Sequence, residues 1–223
     1  MKKSIFLSFI LCLCLIACIP QQAMAQKQSR MEKLLRYLND NDADKWQKNR
    51  EKLDDETKAY YAEDLSLMDV LNDLWNELSE QAATLYFGCY EKAAQSNFPG
   101  ICEGEKIPLS QIRDKADQSI INLLEASKDK IPFSRALLDS IHATEYPVDS
   151  AMLQRLQNIR EVALLEGMLK APTPIIYQTY VKEYPNGKFI AQVNASENVR
   201  LYQLVKTAPT PANFKAFFED PEM

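Results

Sequence analysis

The two cysteines that follow the first 25 residues are the side chains best suited to covalent chemistry. Cys89 and Cys102 are separated by twelve residues, among them Pro99 and Gly100. In an oxidising compartment, an even and close pair predicts a disulfide, which would stabilise the fold by about 3 kcal/mol through the loop that it closes. Two independent buried thiols are the alternative. A catalytic redox pair is disfavoured, because such pairs usually lie closer together, as C-x-x-C.

An acidic stretch has part of the ligand spacing of a calcium-binding loop. Oxygen-ligand positions 1, 3, 5 and 12 of such a loop are matched by Asp40, Asp42, Asp44 and Glu51. Lys45, however, stands where the loop needs a glycine for its sharp turn. We therefore expect no metal here and predict that Asp42 or Asp44 caps the next helix.

The remaining ionisable groups do not indicate catalysis. His142 is the only histidine, and no G-x-S-x-G motif accompanies it. Its place beside Ile141 in a predicted helix favours a partly packed side chain. Paired carboxylates such as Glu161 and Glu166 fall on charged helix faces that look exposed, not in a cleft of the kind that a glycosidase needs. The sequence predicts a protein that is not an enzyme and uses no cofactor.

Composition favours an all-α fold. Only five glycines occur in 223 residues, which leaves little material for hairpin turns, and good helix formers dominate. Without residues 1–25 the chain carries 24 basic and 31 acidic side chains, a net charge of −7. That balance argues against nucleic acid or an anionic membrane surface as a partner.

Apolar spacing predicts helices along residues 26–130, which we take as an N-terminal helical region. A single long helix is predicted over about 57–94 from a leucine stripe at Leu67, Leu71, Leu74, Leu78 and Leu85. A further helix is predicted with Ser110 as its N-cap and an apolar stripe from Ile112 to Leu124, and another helix from Pro132 to about Thr144.

Residues 131–223 carry an internal repeat of about 37 residues. Ala171-Pro172-Thr173-Pro174 recurs 37 residues later at 208–211, and Glu145-Tyr146-Pro147 recurs 38 residues later at 183–185. In each unit a proline begins a short helix, because its fixed φ suits the first turn, and Tyr-Pro ends it. Such a helix-turn-helix unit must bury its apolar face on neighbouring units. The last copy is incomplete, so either a half-repeat closes the stack or the natural chain continues past Met223.

The aromatic residues of the repeat recur at helical spacing. We predict that they form the core of the stacked hairpins and not a ligand cage: Tyr177, Tyr180, Tyr184, Phe189, Phe214 and Phe217.

The segment from Tyr177 to Phe189 resembles the unit of tetratricopeptide-like repeats in bacterial envelope proteins, including the assembly lipoproteins of the outer membrane. The match consists of Tyr177-x-x-Tyr180 followed by Tyr184-Pro185-Asn186-Gly187-Lys188-Phe189, within a resemblance that covers about residues 132–221. The period here is longer than the usual 34 residues, and the Trp-Leu-Gly signature of the first helix is missing. The resemblance implies stacked helical hairpins and no particular activity.

The start of the chain has the order of a secretory signal. Two lysines precede an uncharged run from Ile5 to Ile19, and Ala23-Met24-Ala25 offers small residues for a signal peptidase. We predict that residues 1–25 are a signal peptide cleaved after Ala25. The alternative is a lipobox at Leu15-Ile16-Ala17-Cys18, in which Cys18 is lipidated and tethers the protein.

These features predict an exported protein of the periplasm or outer membrane that acts as a non-enzymatic scaffold. Its partner would be another envelope or outer-membrane protein, or an extended peptide, bound by the stacked hairpins. Nucleic acid is not expected, and membrane contact is expected only through a lipid anchor. The alternatives are an accessory domain of an envelope enzyme whose active part lies elsewhere, or a lipid-anchored structural protein of the envelope.

Overall fold

The computed structural model describes residues 24–76, 79–94 and 109–219, and these form helices with no β-strand among them, which confirms the all-α fold class. In chain order the helices are α1 over residues 24–39, α2 Ala43–Glu51, α3 Asp55–Tyr60, α4 Ala62–Asn76, α5 Glu80–Ala94, α6 Leu109–Ala126, α7 Lys130–Ala143, α8 Ser150–Lys170, α9 Pro174–Glu183, α10 Ile190–Thr207 and α11 Pro211–Phe218. Within these described ranges, no helix has the length and apolar character needed to cross a membrane.

The described chain divides into two compact units. The first unit contains the described residues up to Leu123 together with Ala143–Tyr146. The second unit contains Leu124–His142 and the described residues from Pro147 onward. The division therefore falls inside α6, before the last residue of α7, and in the connection between α7 and α8.

The first unit replaces the predicted long helix over 57–94 with three shorter ones, α3, α4 and α5. Ser79 is not helical, so the apolar face starts again in a new register after it. As a result Leu85, predicted to face the core, is 50% exposed, whereas Tyr86 and Phe87 are fully buried. Leu78 lies outside the described residues. Helices α4 and α5 pack against each other.

An aromatic cluster forms part of the core of the first unit. The ring centroids of Tyr86, Phe87, Tyr90 and Tyr146 lie 4.8–5.9 Å apart, mostly edge to face, an arrangement that aromatic quadrupoles favour. The Tyr146 hydroxyl donates to Asp117 Oδ1 at 3.2 Å and lies 3.2 Å from the Tyr86 hydroxyl. Burial raises the pKa of Tyr86 well above its ordinary value.

The residue before Tyr146 has an unusual backbone. Glu145 has a φ of 50°, in the left-handed region that side chains other than glycine, asparagine and aspartate rarely adopt. It follows α7 and precedes the buried Tyr146 ring. The turn that brings Tyr146 into the aromatic cluster is therefore made by a strained residue.

The second unit is built on α8, which packs against α9 and α10, while α9 and α10 also contact each other. Its core consists of Leu164, Met168, Tyr180 and Val193, all fully buried. Helix α11 packs against α10.

Both copies of A-P-T-P begin a helix in the same way. Thr173 and Thr210 are the N-caps, and their side-chain oxygens accept from the backbone N–H three residues later at 3.2 Å. Pro174 and Pro211 follow at the first helical position. Helix α9 ends at Glu183, directly before Tyr184-Pro185. The predicted proline-led starts and the Tyr-Pro end of α9 are confirmed.

Candidate functional site

A buried arginine ties three helices of the second unit together. Arg160 on α8 is only 2% exposed. Its guanidinium donates to the Ile131 carbonyl oxygen of α7 at 2.8 Å and to Glu183 Oε1 of α9 at 2.9 Å. The hydrogen bond and the charge of Arg160 lower the pKa of the Glu183 carboxyl. Because a guanidinium is planar and offers five donors, it can satisfy both helices at once.

The next residue on α8, Glu161, holds the loop between α9 and α10. It is 5% exposed, and its Oε1 accepts from the Tyr180 hydroxyl at 2.8 Å and from the Lys188 backbone N–H at 2.7 Å. The Phe189 backbone N–H donates in turn to the Tyr180 hydroxyl at 3.1 Å. Burial and the hydrogen bond to Glu161 raise the pKa of Tyr180 to about 12. Glu161 and Tyr180 thus fix the backbone of this loop.

Gly187 is required by the closeness of this contact. A Cβ atom at this position would lie 2.5 Å from Glu161 Oε1, 2.5 Å from the Tyr180 hydroxyl and 2.9 Å from the Tyr184 Cβ. Real Cβ atoms do not approach other atoms so closely, so any side chain would force Glu161, Tyr180 or the loop itself to shift. The Gly187 N–H donates to the Tyr184 carbonyl oxygen at 2.9 Å and closes the turn.

The fixed loop forms one wall of an open cleft of about 320 Å³ on the second unit, and α8 forms the other wall. The cleft is rich in carboxamide groups, which come from Gln154, Gln157, Asn158 and Asn186. The Tyr184 hydroxyl, on the loop side, donates to the Gln157 carbonyl oxygen at 3.1 Å and so fixes one edge. Each carboxamide can both donate and accept, which matches the alternating N–H and C=O groups of a peptide backbone. The cleft is therefore chemically suited to an extended peptide.

The aromatic residues predicted as repeat core divide into two groups. Tyr180 is fully buried in the core of the second unit, and three others are partly buried against that core: Tyr177, Tyr184 and Phe189. The prediction is wrong for Phe214, which is 42% exposed, and Phe217 is only half-buried. Both lie on α11, and among the described residues only α10 packs substantially against that helix.

The residues predicted to carry modification or a crosslink are mostly not described. Cys18 and Cys102 lie outside the described residues, so lipidation and the disulfide stay predictions. Cys89 is half-buried on α5 and forms no disulfide within the part of the chain that the structure describes. Burial raises the pKa of its thiol. Ala25 lies in α1.

The acidic stretch behaves as a helix cap. Asp42 is the N-cap of α2, and its carboxylate accepts from the Lys45 backbone N–H at 3.2 Å and from Lys45 Nζ at 2.6 Å. These bonds lower the pKa of Asp42. No cluster of three or more metal-ligating side chains occurs in the described ranges. The predicted cap is confirmed.

Two sequence-based expectations about ionisable residues are wrong. His142 was expected to be partly packed, but it is exposed in the last turn of α7, where Ile141 instead faces the core. Glu161 was expected on an exposed face, but it is buried. The available signal is the period of α8: Leu156, Leu164 and Met168 are fully buried at intervals of four or eight, and Arg160 falls in the same row. A charge inside an apolar row marks a buried polar contact.

No family model, curated protein or solved structure matches the chain.

Proposed function

We propose that the protein is an exported, non-enzymatic binding protein of the cell envelope, built of tetratricopeptide-like hairpins, that holds an extended peptide segment of another envelope protein. The observation that supports it most strongly is the cleft between α8 and the 184–188 loop. Its carboxamides can form hydrogen bonds with a peptide main chain whatever the side chains of that peptide are.

Two further observations support the hairpin part of the proposal. The A-P-T-P copies begin α9 and α11 with identical caps. Consecutive helices from α8 to α11 pack in sequence order, as stacked hairpins do. The buried contacts of Arg160 and Glu161 give the cleft a fixed shape before any ligand binds, which lowers the entropic cost of binding.

Binding can be tested with the purified protein and a library of displayed twelve-residue peptides. We expect enriched peptides that bind saturably, and a Gln154→Ala/Gln157→Ala variant that binds them roughly tenfold or more weakly, because two hydrogen-bonding groups are lost. Alanine keeps α8 helical. The matched control is Gln178→Ala on α9, an exposed glutamine that does not line the cleft.

If the enriched peptides bind the Gln154→Ala/Gln157→Ala variant as tightly as the Gln178→Ala control, the cleft is not the binding site. A library that yields no binder would count against a peptide-binding function altogether.

The export part of the proposal has a separate test. The mass of the mature protein isolated from cells should correspond either to a chain starting at Gln26 or to a lipid-modified chain starting at Cys18. A chain that retains residues 1–25 and stays in the cytoplasm would contradict export.

A further inference from the structure

One charged side chain in the lining of the cleft has no partner of opposite charge. Glu161 is 5% exposed and lines the cleft between α8 and the 184–188 loop. The neighbouring Arg160 pairs with Glu183 instead, and Glu161 forms no ion pair within the part of the chain that the structure describes. Because buried charges in folded proteins are usually paired, this carboxylate is suited to a cation that a ligand supplies.

The two oxygens of the Glu161 carboxylate have different surroundings. Oε1 accepts from the Tyr180 hydroxyl at 2.8 Å and from the Lys188 backbone N–H at 2.7 Å. Oε2 accepts from none of the described residues, and it is not sealed from solvent as the unpaired Asn194 Oδ1 of the same unit is. The carboxylate is therefore saturated on one oxygen and keeps unused acceptor capacity on the other.

The groups around Glu161 favour a compact cation. A primary ammonium has three donors around one nitrogen, whereas a guanidinium pairs best when both oxygens of a carboxylate are open to its planar fork. Since Glu161 has only one such oxygen, an ammonium suits it better. The carboxamide oxygens of Gln157 and Asn158 line the same cleft and can accept the remaining donors. Lys188 also lines the cleft, but its side chain is exposed and forms no ion pair with Glu161.

We infer that Glu161 is an anchor for a primary ammonium group, which in the extended peptide is either the amino terminus or a lysine side chain. The inference rests on the proposed function, because it names the group of the peptide that the cleft selects. The ammonium donates to Glu161 Oε2, and carboxamide oxygens of the cleft accept its other donors. The attraction is local, since it comes from a buried carboxylate and not from the net charge of the chain.

A small amine tests this anchor without any peptide. The probe is n-butylammonium chloride, titrated into the purified protein while the amide resonances of the 184–188 loop are followed by NMR. We expect a saturable shift of the Lys188 amide, whose N–H binds the same carboxylate. Tetramethylammonium chloride is the control, because it has the charge but no N–H donor, and it should not produce that shift. Absence of a saturable shift with n-butylammonium, or equal shifts with both salts, would overturn the inference.

A second arm uses synthetic versions of the peptides that the library enriches. Glu161→Gln keeps the size of the side chain and an oxygen for the Tyr180 and Lys188 donors but removes the charge. It should therefore bind these peptides about tenfold or more weakly. The matched control is Glu166→Gln, because Glu166 lies on α8, is exposed and does not line the cleft. Circular dichroism establishes that both variants are folded.

A third arm changes the peptide and leaves the protein unchanged, so it does not depend on the folding of any variant. If the amino terminus binds, N-acetylation should weaken binding about tenfold or more, and if a lysine binds, its replacement with norleucine should do so. Peptides whose binding survives both changes would overturn the inference and leave the peptide-binding proposal intact. A saturable n-butylammonium site in a protein that selects no peptide would support the ammonium anchor and contradict the proposed function alone.

Discussion

Each unit buries a tyrosine hydroxyl against a carboxylate, but one pair lies within a side-chain core and the other fixes the backbone of a loop. In the first unit Tyr146 donates to Asp117 from within a cluster of aromatic rings, so the pair belongs to a side-chain core. In the second unit Tyr180 donates to Glu161, which also accepts a backbone N–H from the loop before α10. The second pair therefore shapes a surface, and the same two functional groups serve stability in one unit and the geometry of a surface cleft in the other.

The repeated sequence motifs show the same contrast. The two A-P-T-P copies have one local structure, because a threonine cap and an N1 proline need only their immediate neighbours. The two E-Y-P copies differ: Tyr146 is buried among rings, whereas Tyr184 ends α9 and reaches the Gln157 carbonyl. A short motif keeps its local structure in both copies, whereas the tertiary contacts of its residues differ between the copies.

The largest expected effect separates a buried contact from an exposed one on the same carboxylate. Arg160→Ala should destabilise the second unit by about 3–5 kcal/mol, because Glu183 and the Ile131 carbonyl lose a buried charged partner. Arg135→Ala removes the half-exposed partner of Glu183 and should cost less than about 1 kcal/mol. Urea unfolding followed by circular dichroism measures both. An equal loss of stability in the two variants would mean that the buried contacts of Arg160 do not hold the second unit together.

Tryptophan fluorescence provides the comparison between units. Both tryptophans of the chain, Trp46 and Trp75, lie in the first unit, so their emission reports on that unit. In Arg160→Ala, the transition detected by circular dichroism should begin at lower urea than the transition detected by fluorescence.

One glycine from each unit gives the next largest contrast. Gly187→Ala should destabilise by about 1–3 kcal/mol, since its Cβ collides with Glu161 and Tyr180. Gly88→Ala on α5 should instead stabilise by up to about 1 kcal/mol, because its Cβ would only touch Thr144 at 3.9 Å and alanine is the better helix former. Thermal unfolding of the two variants would show shifts of opposite sign; shifts of the same sign would contradict the close packing of the loop.

Removing the Tyr180 hydroxyl tests whether its pair with Glu161 fixes the loop before α10. Tyr180→Phe should cost about 1 kcal/mol and speed hydrogen exchange at the Phe189 amide, which loses its acceptor. Tyr146→Phe should have a comparable cost but leave that amide unchanged. Amide exchange measured by NMR distinguishes the two. Unchanged exchange at Phe189 in Tyr180→Phe would remove the basis for a preformed cleft.

The smallest effect is a dependence on acid. The pKa of Glu183 in the folded state is lowered below its ordinary 4.5, chiefly by the hydrogen bond from Arg160. The unfolded chain therefore binds the proton more readily, so this contribution to stability is present above pH 4.5 and is lost as the pH falls through the lowered pKa. The melting midpoint of the native protein should decline over that range, and more steeply than that of Arg160→Ala. Parallel slopes would contradict the coupling.

The sequence predicted those features that depend on local rules. The helical class follows from the overall composition. The proline-led starts of α9 and α11 and the Asp42 cap each follow from one or two neighbouring residues. The burial of Arg160 and Glu161 was not predicted, because their partners come from α7, α9 and the loop before α10, and residue type alone favours exposure for charged groups.

Apolar residues were misjudged for the opposite reason. Leu85 and Phe214 have the types and spacing of core residues, yet both are exposed. The spacing fixes a face within one helix but does not say whether another helix covers that face, or whether a break such as Ser79 resets it. The cleft was likewise out of reach, since its carboxamides meet only after the loop has folded against α8.

The left-handed backbone at Glu145 limits how this chain can evolve. An L-residue with a φ of 50° costs free energy that only glycine avoids entirely and that asparagine or aspartate largely tolerates. Among descendants of this sequence, position 145 should drift toward those three residues and exclude valine, isoleucine and threonine. The neighbouring Tyr146 would stay constant, because its ring packs in the aromatic cluster. Position 145 would thus be restricted by the main-chain conformation, whereas position 146 would be restricted by the packing of its side chain.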